Sequence, residues 1–205
     1  MYRELYTTSA RVCFFGDSFV NGVGDHHHLG WVGRLSAAAG SRGIDLTSYN
    51  LGIRRDTSGD VAARWADEAA ALRLRPEHDS LLVFSFCVNH AVIEQGRTRV
   101  DRAQTLLNTS KILDHAIRRA PCIFIGPPPG ADQELNDRIA FFSTGIRSHC
   151  LTLDVAFYDP FPALFNSSRW MKGVIAGDGV HPDADGYAEL AGLIDKSPAL
   201  RRYLP

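Results

Sequence analysis

Short apolar runs alternate along this chain with longer stretches in which apolar residues recur every three or four positions. The runs are Val12–Phe15, the weaker and mixed Leu46–Leu51, Ser80–Phe86, Cys122–Ile125 and Val155–Tyr158. They are short, rich in Val, Ile, Leu and Phe, and several stop at Gly, which predicts strands buried on both faces. Helical spacing covers Trp31–Ala39, with Val32, Leu35 and Ala39 on one side, and Thr57–Leu72, with Val61, Trp65, Ala69 and Leu72. Thr57, Ser58 and Asp60 supply a start signal for the second of these. Val100–Ala120 places Ala103, Leu106, Leu107, Leu113 and Ile117 on a stripe. Asp132–Leu151 does the same with Leu135, Ile139, Phe142 and Ile146, and Asp183–Asp195 with Tyr187, Leu190, Ala191 and Ile194. Strand and helix in alternation predict a parallel sheet with crossover helices on both faces. No internal repeat, low-complexity tract or linker interrupts the pattern, so one α/β domain over residues 1–205 is expected.

A doubly wound sheet binds ligands beyond the carboxyl ends of its strands. The segments there are Gly16-Asp17-Ser18, Gly52-Ile53-Arg54-Arg55, Cys87-Val88-Asn89-His90 and Gly126-Pro127-Pro128-Pro129. The last is a stiff turn suited to shaping a cleft. Ser18 has two readings, a helix N-cap or a nucleophile held at a strand end. A serine hydroxyl needs an adjacent base to act as a nucleophile. The candidate base is distant in sequence: His181, in Gly177-Asp178-Gly179-Val180-His181-Pro182, on a loop before the last helix. Asp178 stands three residues earlier, where a turn brings its carboxylate beside the imidazole to fix the tautomer and stabilise an imidazolium. Donors for a developing oxyanion are at hand in Asn89, through its side-chain amide, and in Gly52, through a backbone N–H without Cβ obstruction. Each is an ordinary turn residue taken alone, and it is their joint appearance at three strand ends that points to chemistry.

Together these residues resemble the SGNH hydrolases, also called GDSL-type esterases and lipases. The first block of that family matches Gly16-Asp17-Ser18, with Phe19 where Leu is common. The second matches Asn50-Leu51-Gly52. The third, Gly-x-Asn-Asp, matches in part as Cys87-Val88-Asn89-His90. The last, Asp-x-x-His-Pro, matches Asp178-Gly179-Val180-His181-Pro182 in full. The resemblance runs from about residue 11 to 195. It implies a three-layer α/β/α sandwich with a flavodoxin-like parallel sheet, and hydrolysis of small-molecule esters or related acyl groups without metal or organic cofactor. By that likeness Ser18 is the nucleophile, His181 the base and Asp178 its partner, with Ser18 N–H, Gly52 N–H and the Asn89 amide as the oxyanion hole. The departures are Cys87 for a glycine and His90 for an aspartate, expected to alter the shape and polarity of the pocket, with His90 and Trp170 as substrate contacts. An acyltransferase using the same serine, or a non-catalytic α/β binding module, are the alternatives on this fold.

Composition narrows the classes further. Hydrophobic residues make up 45% and charged residues 22% of the 205, a globular balance. A net charge of −1 lacks the basic footprint of a nucleic-acid binder. Three of the four cysteines, Cys13, Cys87 and Cys122, fall in or beside apolar runs and read with Cys150 as free buried thiols of a reducing compartment. The start of the chain has no apolar segment of signal-peptide type, and no run reaches the ~18 apolar residues of a membrane span, so a soluble cytoplasmic protein is expected. His26-His27-His28 reads as surface placement rather than a metal cluster, because neighbouring loop histidines do not converge on one ion without further ligands. Arg54-Arg55 reads as a solvated pair or a partner for Asp56. Gly22-Val23-Gly24 fails as a dinucleotide fingerprint, since His27 stands where the third glycine is needed. Ser167–Gly177, with Trp170, Met171 and Val174, reads as a packed loop or an apolar wall over the acyl site.

Overall fold

The computed structural model describes residues 8–71 and 79–205. In chain order its elements are β1 (Thr8–Gly16), α1 (Ser18–Asn21), α2 (Gly30–Ser41), β2 (Ile44–Gly52), α3 (Ser58–Ala71), β3 (Asp79–Ser85), α4 (Val88–Ala91), β4 (Ile93–Glu94), β5 (Arg97–Thr98) and α5 (Arg102–Ala116). There follow β6 (Cys122–Ile125), α6 (Gln133–Thr152), β7 (Ala156–Tyr158), α7 (Phe161–Phe165), α8 (Ser168–Ala176), α9 (Ala184–Asp195) and α10 (Pro198–Arg201). The five apolar runs become one parallel sheet of order β2-β1-β3-β6-β7, while β4 and β5 form a separate small antiparallel hairpin. Helices α2, α8 and α9 pack together in one set, and α3, α5 and α6 in another. The architecture is the expected flavodoxin-like α/β sandwich, a parallel sheet flanked by helices.

The central strands are buried because both of their faces are covered. Val12, Cys13, Phe14 and Phe15 of β1 and Leu82 and Phe84 of β3 have essentially no exposure. Phe14 meets Trp31 of α2 edge-on at 5.3 Å, and Phe15 stacks on Phe84 at 5.4 Å beneath Trp65 of α3. Burying each of these large apolar side chains is worth roughly 1.5–3 kcal/mol. All four cysteines are free and buried.

Most helical stripes lie where the spacing puts them. Val61, Trp65 and Ala69 of α3, Leu135, Ile139, Phe142 and Ile146 of α6, and Tyr187, Leu190, Ala191 and Ile194 of α9 are buried; Leu72 lies outside the described residues. Helix α5 departs from the expectation. Its Leu107 and Ile117 are 49% and 41% exposed, while Thr105, Asn108 and Thr109 are buried. The physical reason is a polar seam: Asn108 Nδ2 donates to Ser58 Oγ at 3.1 Å, and Thr105 Oγ1 meets the His90 ring. Ser167–Gly177 is not a loop but the amphipathic helix α8, capped by Ser167 Oγ accepting from Trp170 N, with Trp170 and Val174 in the core.

The register sets the position of the site. Gly16 lies opposite Gly52 on β2 and opposite Ser85 on β3, so three strands end at one level. Side chains are excluded at that level. A Cβ on Gly16 would lie 1.9 Å from Ser85 O, and one on Gly52 would lie 2.2 Å from Asn21 N. Both obstacles are backbone atoms of neighbouring elements. The Gly16→Ala variant is therefore expected to lose about 3 kcal/mol or more of stability, or to fail to fold. Chemical denaturation measures this, and a variant as stable as wild type would contradict the close approach.

Candidate active site

Ser18 is the first residue of α1, and the cap of that helix is its neighbour. Asp17 Oδ1 accepts from Phe19 N at 3.0 Å, and Gly22, with φ 94°, closes the helix at its other end. The cap reading thus belongs to Asp17 and leaves the Ser18 hydroxyl free. The Ser18 N–H is one of the orphan donors of a helix start.

His181 and Asp178 belong to one tight turn. Asp178 Oδ1 accepts from Val180 N at 3.0 Å and from His181 N at 2.8 Å, which aims the other carboxylate oxygen at the ring. His181 Nδ1 lies 2.7 Å from Asp178 Oδ2, and His181 Nε2 lies 2.8 Å from Ser18 Oγ. Partial burial works to raise the Asp178 carboxyl, but hydrogen bonds from His181 and Val180 outweigh it and hold the group at about 2. An ionised carboxylate only accepts, so Nδ1 carries the ring proton and the Nε2 lone pair faces the serine hydroxyl. An imidazole held in that way can take a proton from Ser18 Oγ. Phe19 packs on the His181 ring at 5.0 Å, and Trp170 stacks on Phe19 at 6.4 Å.

Two of the three expected oxyanion donors are engaged within the protein. Asn89, at the start of α4, donates from Nδ2 to Asp56 O at 2.9 Å, with Asp17 Oδ2 at 3.5 Å. Gly52 N–H donates to Asn50 Oδ1 at 3.1 Å, and Asn50 Nδ2 in turn reaches Val20 O at 2.8 Å. Asn21 Nδ2 donates to Gly52 O. The turns after β1 and β2 are thus stitched together by Asn21 and Asn50, with Ser18, Gly52 and Asn89 on the same edge of the sheet.

The structure places His90 and Trp170, the expected substrate contacts, in the interior. Both are fully buried. His90 Nε2 accepts from Ser58 N at 2.8 Å, and its Nδ1 lies 3.1 Å from Thr105 Oγ1, which itself donates to Asp101 O. Burial first, then the charge of Arg99, pushes the ring down to about 4, so His90 is neutral. It ties α4 to the start of α3 and to α5. Trp170 Nε1 donates to Pro129 O at 3.0 Å inside the core, fastening α8 to the proline turn. Cys87 keeps a backbone that glycine favours, with φ 128°, a strain of about 1–3 kcal/mol two residues before Asn89. Burial and the nearby Asp17 push its thiol well above the ordinary value, so it is no thiolate nucleophile.

Several residues around the site were not singled out from sequence. Asp56 supplies the carbonyl that holds Asn89. Asp25 accepts from His27 N, Gly30 N and Arg34, fixing the loop whose Gly24 packs against His181 and Pro182. Arg55 pairs with Glu94 of the hairpin, and it is Arg64 that pairs with Asp56. His26, His27 and His28 are exposed, and among the described residues no group of three or more His, Cys, Asp or Glu side chains could hold a metal ion. No helix among the described residues is long and apolar enough to cross a membrane.

Asp17 is the buried acid of the site. Loss of solvent raises its carboxyl from 3.8 to about 7, against the Phe19 N–H that lowers it and with Asp56 adding to the rise. The folded protein therefore holds this proton more tightly than the unfolded chain does. The resulting stability is complete below 3.8 and is lost as pH rises through about 7. Asp17→Asn has no carboxyl to ionise, so its melting temperature relative to wild type is expected to rise by about 10 °C between pH 4 and pH 8. Thermal melts at the two pH values read this directly, and an offset independent of pH would contradict the buried-acid description.

Comparison with known proteins bears on the fold and the family. No curated protein matches the sequence. Among solved structures, a lipolytic protein of the G-D-S-L family from Veillonella parvula superposes with a TM-score of 0.73 at 19% identity, over 91% of this chain and 96% of its own. A lipase/acylhydrolase from Enterococcus faecalis gives 0.72 at 19% identity, over 94% and 96%. An acetylxylan esterase from Geobacillus stearothermophilus gives 0.73 at 16% identity, over 97% and 95%. At these identities the likeness carries the fold. The family model of the GDSL-like lipases and acylhydrolases matches residues 14–189, from β1 into α9 and across every segment of the site, and the chain belongs to that family of ester hydrolases.

Proposed function

We propose that the protein is a serine esterase that works through an acyl-enzyme on Ser18. The observation that carries this reading is the unbroken line Asp178–His181–Ser18, with contacts of 2.7 and 2.8 Å. Ser18 Oγ attacks the ester carbonyl while its proton passes to His181 Nε2, and Asp178 balances the imidazolium that results. The tetrahedral oxygen takes hydrogen bonds from Ser18 N–H and Asn89 Nδ2, and from Gly52 N–H once that donor is shared with Asn50 Oδ1. His181 then returns the proton to the leaving alkoxide. Water attacks the acyl-serine by the same route, with His181 again taking and returning the proton. Every proton is carried by these residues.

The neighbours that include acetylxylan esterases make a short acyl group the first candidate. Hydrolysis of p-nitrophenyl acetate by wild type and by Ser18→Ala is the direct test. The substitution is expected to lower kcat by about 10⁴ or more, and activity that survives it would overturn the proposal. Product analysis with an added alcohol reads whether water or the alcohol accepts the acyl group.

Asn89→Ala is expected to lower kcat by about 10²–10³ with little change in KM, because it removes a donor that acts on the oxyanion. Steady-state kinetics decides this. A loss of only a few-fold would make Asn89 a turn residue.

A further inference from the structure

Arg64 lies on α3, outside every segment that the family blocks pick out, and its side chain is only 16% exposed. Its guanidinium fans out in four directions. Nη2 donates to Leu51 O at 2.8 Å and to Gly16 O at 3.2 Å. Nε donates to Asp56 Oδ2 at 2.9 Å, and Nη1 to Glu68 Oε2 at 2.6 Å. Two of these partners, Gly16 and Leu51, adjoin the segments that present Ser18 N–H and Gly52 N–H, and a third, Asp56, accepts from the Asn89 amide. Leu51 O and Gly52 N–H are the two ends of one peptide unit. Gly16 O belongs to the last residue of β1, two before Ser18. Asp56 offers its carboxylate to Arg64 and its carbonyl to Asn89 Nδ2.

We infer that Arg64 is the positioning residue of the oxyanion hole, holding the Gly52 peptide, the end of β1 and, through Asp56, the Asn89 amide in one mutual geometry. The inference rests on the serine-esterase reading above, and it deepens that reading.

Two physical effects follow from the contacts, and their sizes differ. A charged donor on Leu51 O polarises the planar 51–52 peptide and makes Gly52 N–H a better donor. The planar fork also fixes the ends of β1 and β2 and the Asp56 loop at once, which a point charge cannot do. Direct attraction between the guanidinium and the oxyanion is the smaller contribution, because Asp56 and Glu68 both sit on the same cation and offset its charge. The role is therefore geometric, and lysine should not replace it.

The test is Arg64→Lys, with Arg64→Met beside it, in the full chain. For Arg64→Lys, kcat on p-nitrophenyl acetate is expected to fall by about 10–100-fold, part of the loss of one oxyanion donor. KM should change by less than about three-fold, and the melting temperature by only a few degrees. Affinity for a boronic acid, which forms a tetrahedral anion on Ser18, should fall in parallel with kcat/KM. Should Arg64→Met fail to fold, Arg64→Lys alone decides. A folded variant with wild-type kcat, or a loss confined to KM or tracking thermal stability, would overturn the inference.

A readout independent of turnover separates this inference from the reading it rests on. In the Ser18→Ala background, the Gly52 amide and Asn89 side-chain NMR signals should move on Arg64→Lys while amides of α6 stay in place. Unmoved Gly52 and Asn89 signals overturn the role of Arg64. Absence of Ser18-dependent turnover in wild type overturns the esterase reading instead.

Discussion

Gly16 sits opposite Gly52 on one side and Ser85 on the other, and the geometry beyond the sheet follows from that alignment. Parallel strands in register release their chains at one level, so the turn into α1, the turn after β2 and the turn into α4 leave side by side. The strand order reverses at β1, which opens the crevice of a doubly wound sheet there. Close approach of backbones at this level forbids a Cβ at either glycine, and the same closeness lets Asn21 and Asn50 bridge the turns with single hydrogen bonds. A sheet slipped by one residue would bury different side chains and also separate the three loops.

Around this edge the protein buries polar groups to an unusual depth and satisfies them locally. Asp17 has the Phe19 N–H and lies near the Asn89 amide, and His90 has Ser58 N and Thr105. Buried polar groups of this kind cost free energy unless bonded, and when bonded they specify one arrangement. The exchange of aspartate for histidine in the third family block is understandable in these terms. The His90 side chain points away from the crevice and binds two helices, so the substitution changes the support beneath Asn89 rather than the lining of the cleft. The strained Cys87 backbone keeps the turn that a glycine would adopt freely, which leaves Asn89 in place.

The strands were legible because they are short apolar runs ended by turn residues, and Phe14, Phe15, Leu82 and Phe84 have no competing reading. The meeting of Ser18, Asp178 and His181 could be anticipated because each stands at a turn leading into a helix, and the structure brings the three side chains into one line. Helix α5 was misread in part for a physical reason: Leu113 is buried as expected, but the first half of the buried face is polar, and periodicity of apolar residues has no means of finding Thr105, Asn108 and Thr109. His90 and Trp170 were placed in the cleft because neighbours in sequence to Asn89 and to the Asp178–His181 turn look near in space, whereas each side chain turns into the core. Arg64 gave no signal and Asp56 was read only as a partner for Arg54-Arg55, since an arginine on a helix and an aspartate after a strand are common surface residues until their hydrogen bonds are known.

Asp178 and His181 are three residues apart in one turn whose own backbone N–H groups orient the acid. The turn itself therefore holds acid and ring together. Of the two contacts in the line Asp178–His181–Ser18, only the one from Ser18 to His181, across 163 positions of sequence, is then left to the tertiary structure. A protein arranged in this way has a single adjustable gap. The ring of Phe19, packed between His181 and Trp170, lies beside that gap.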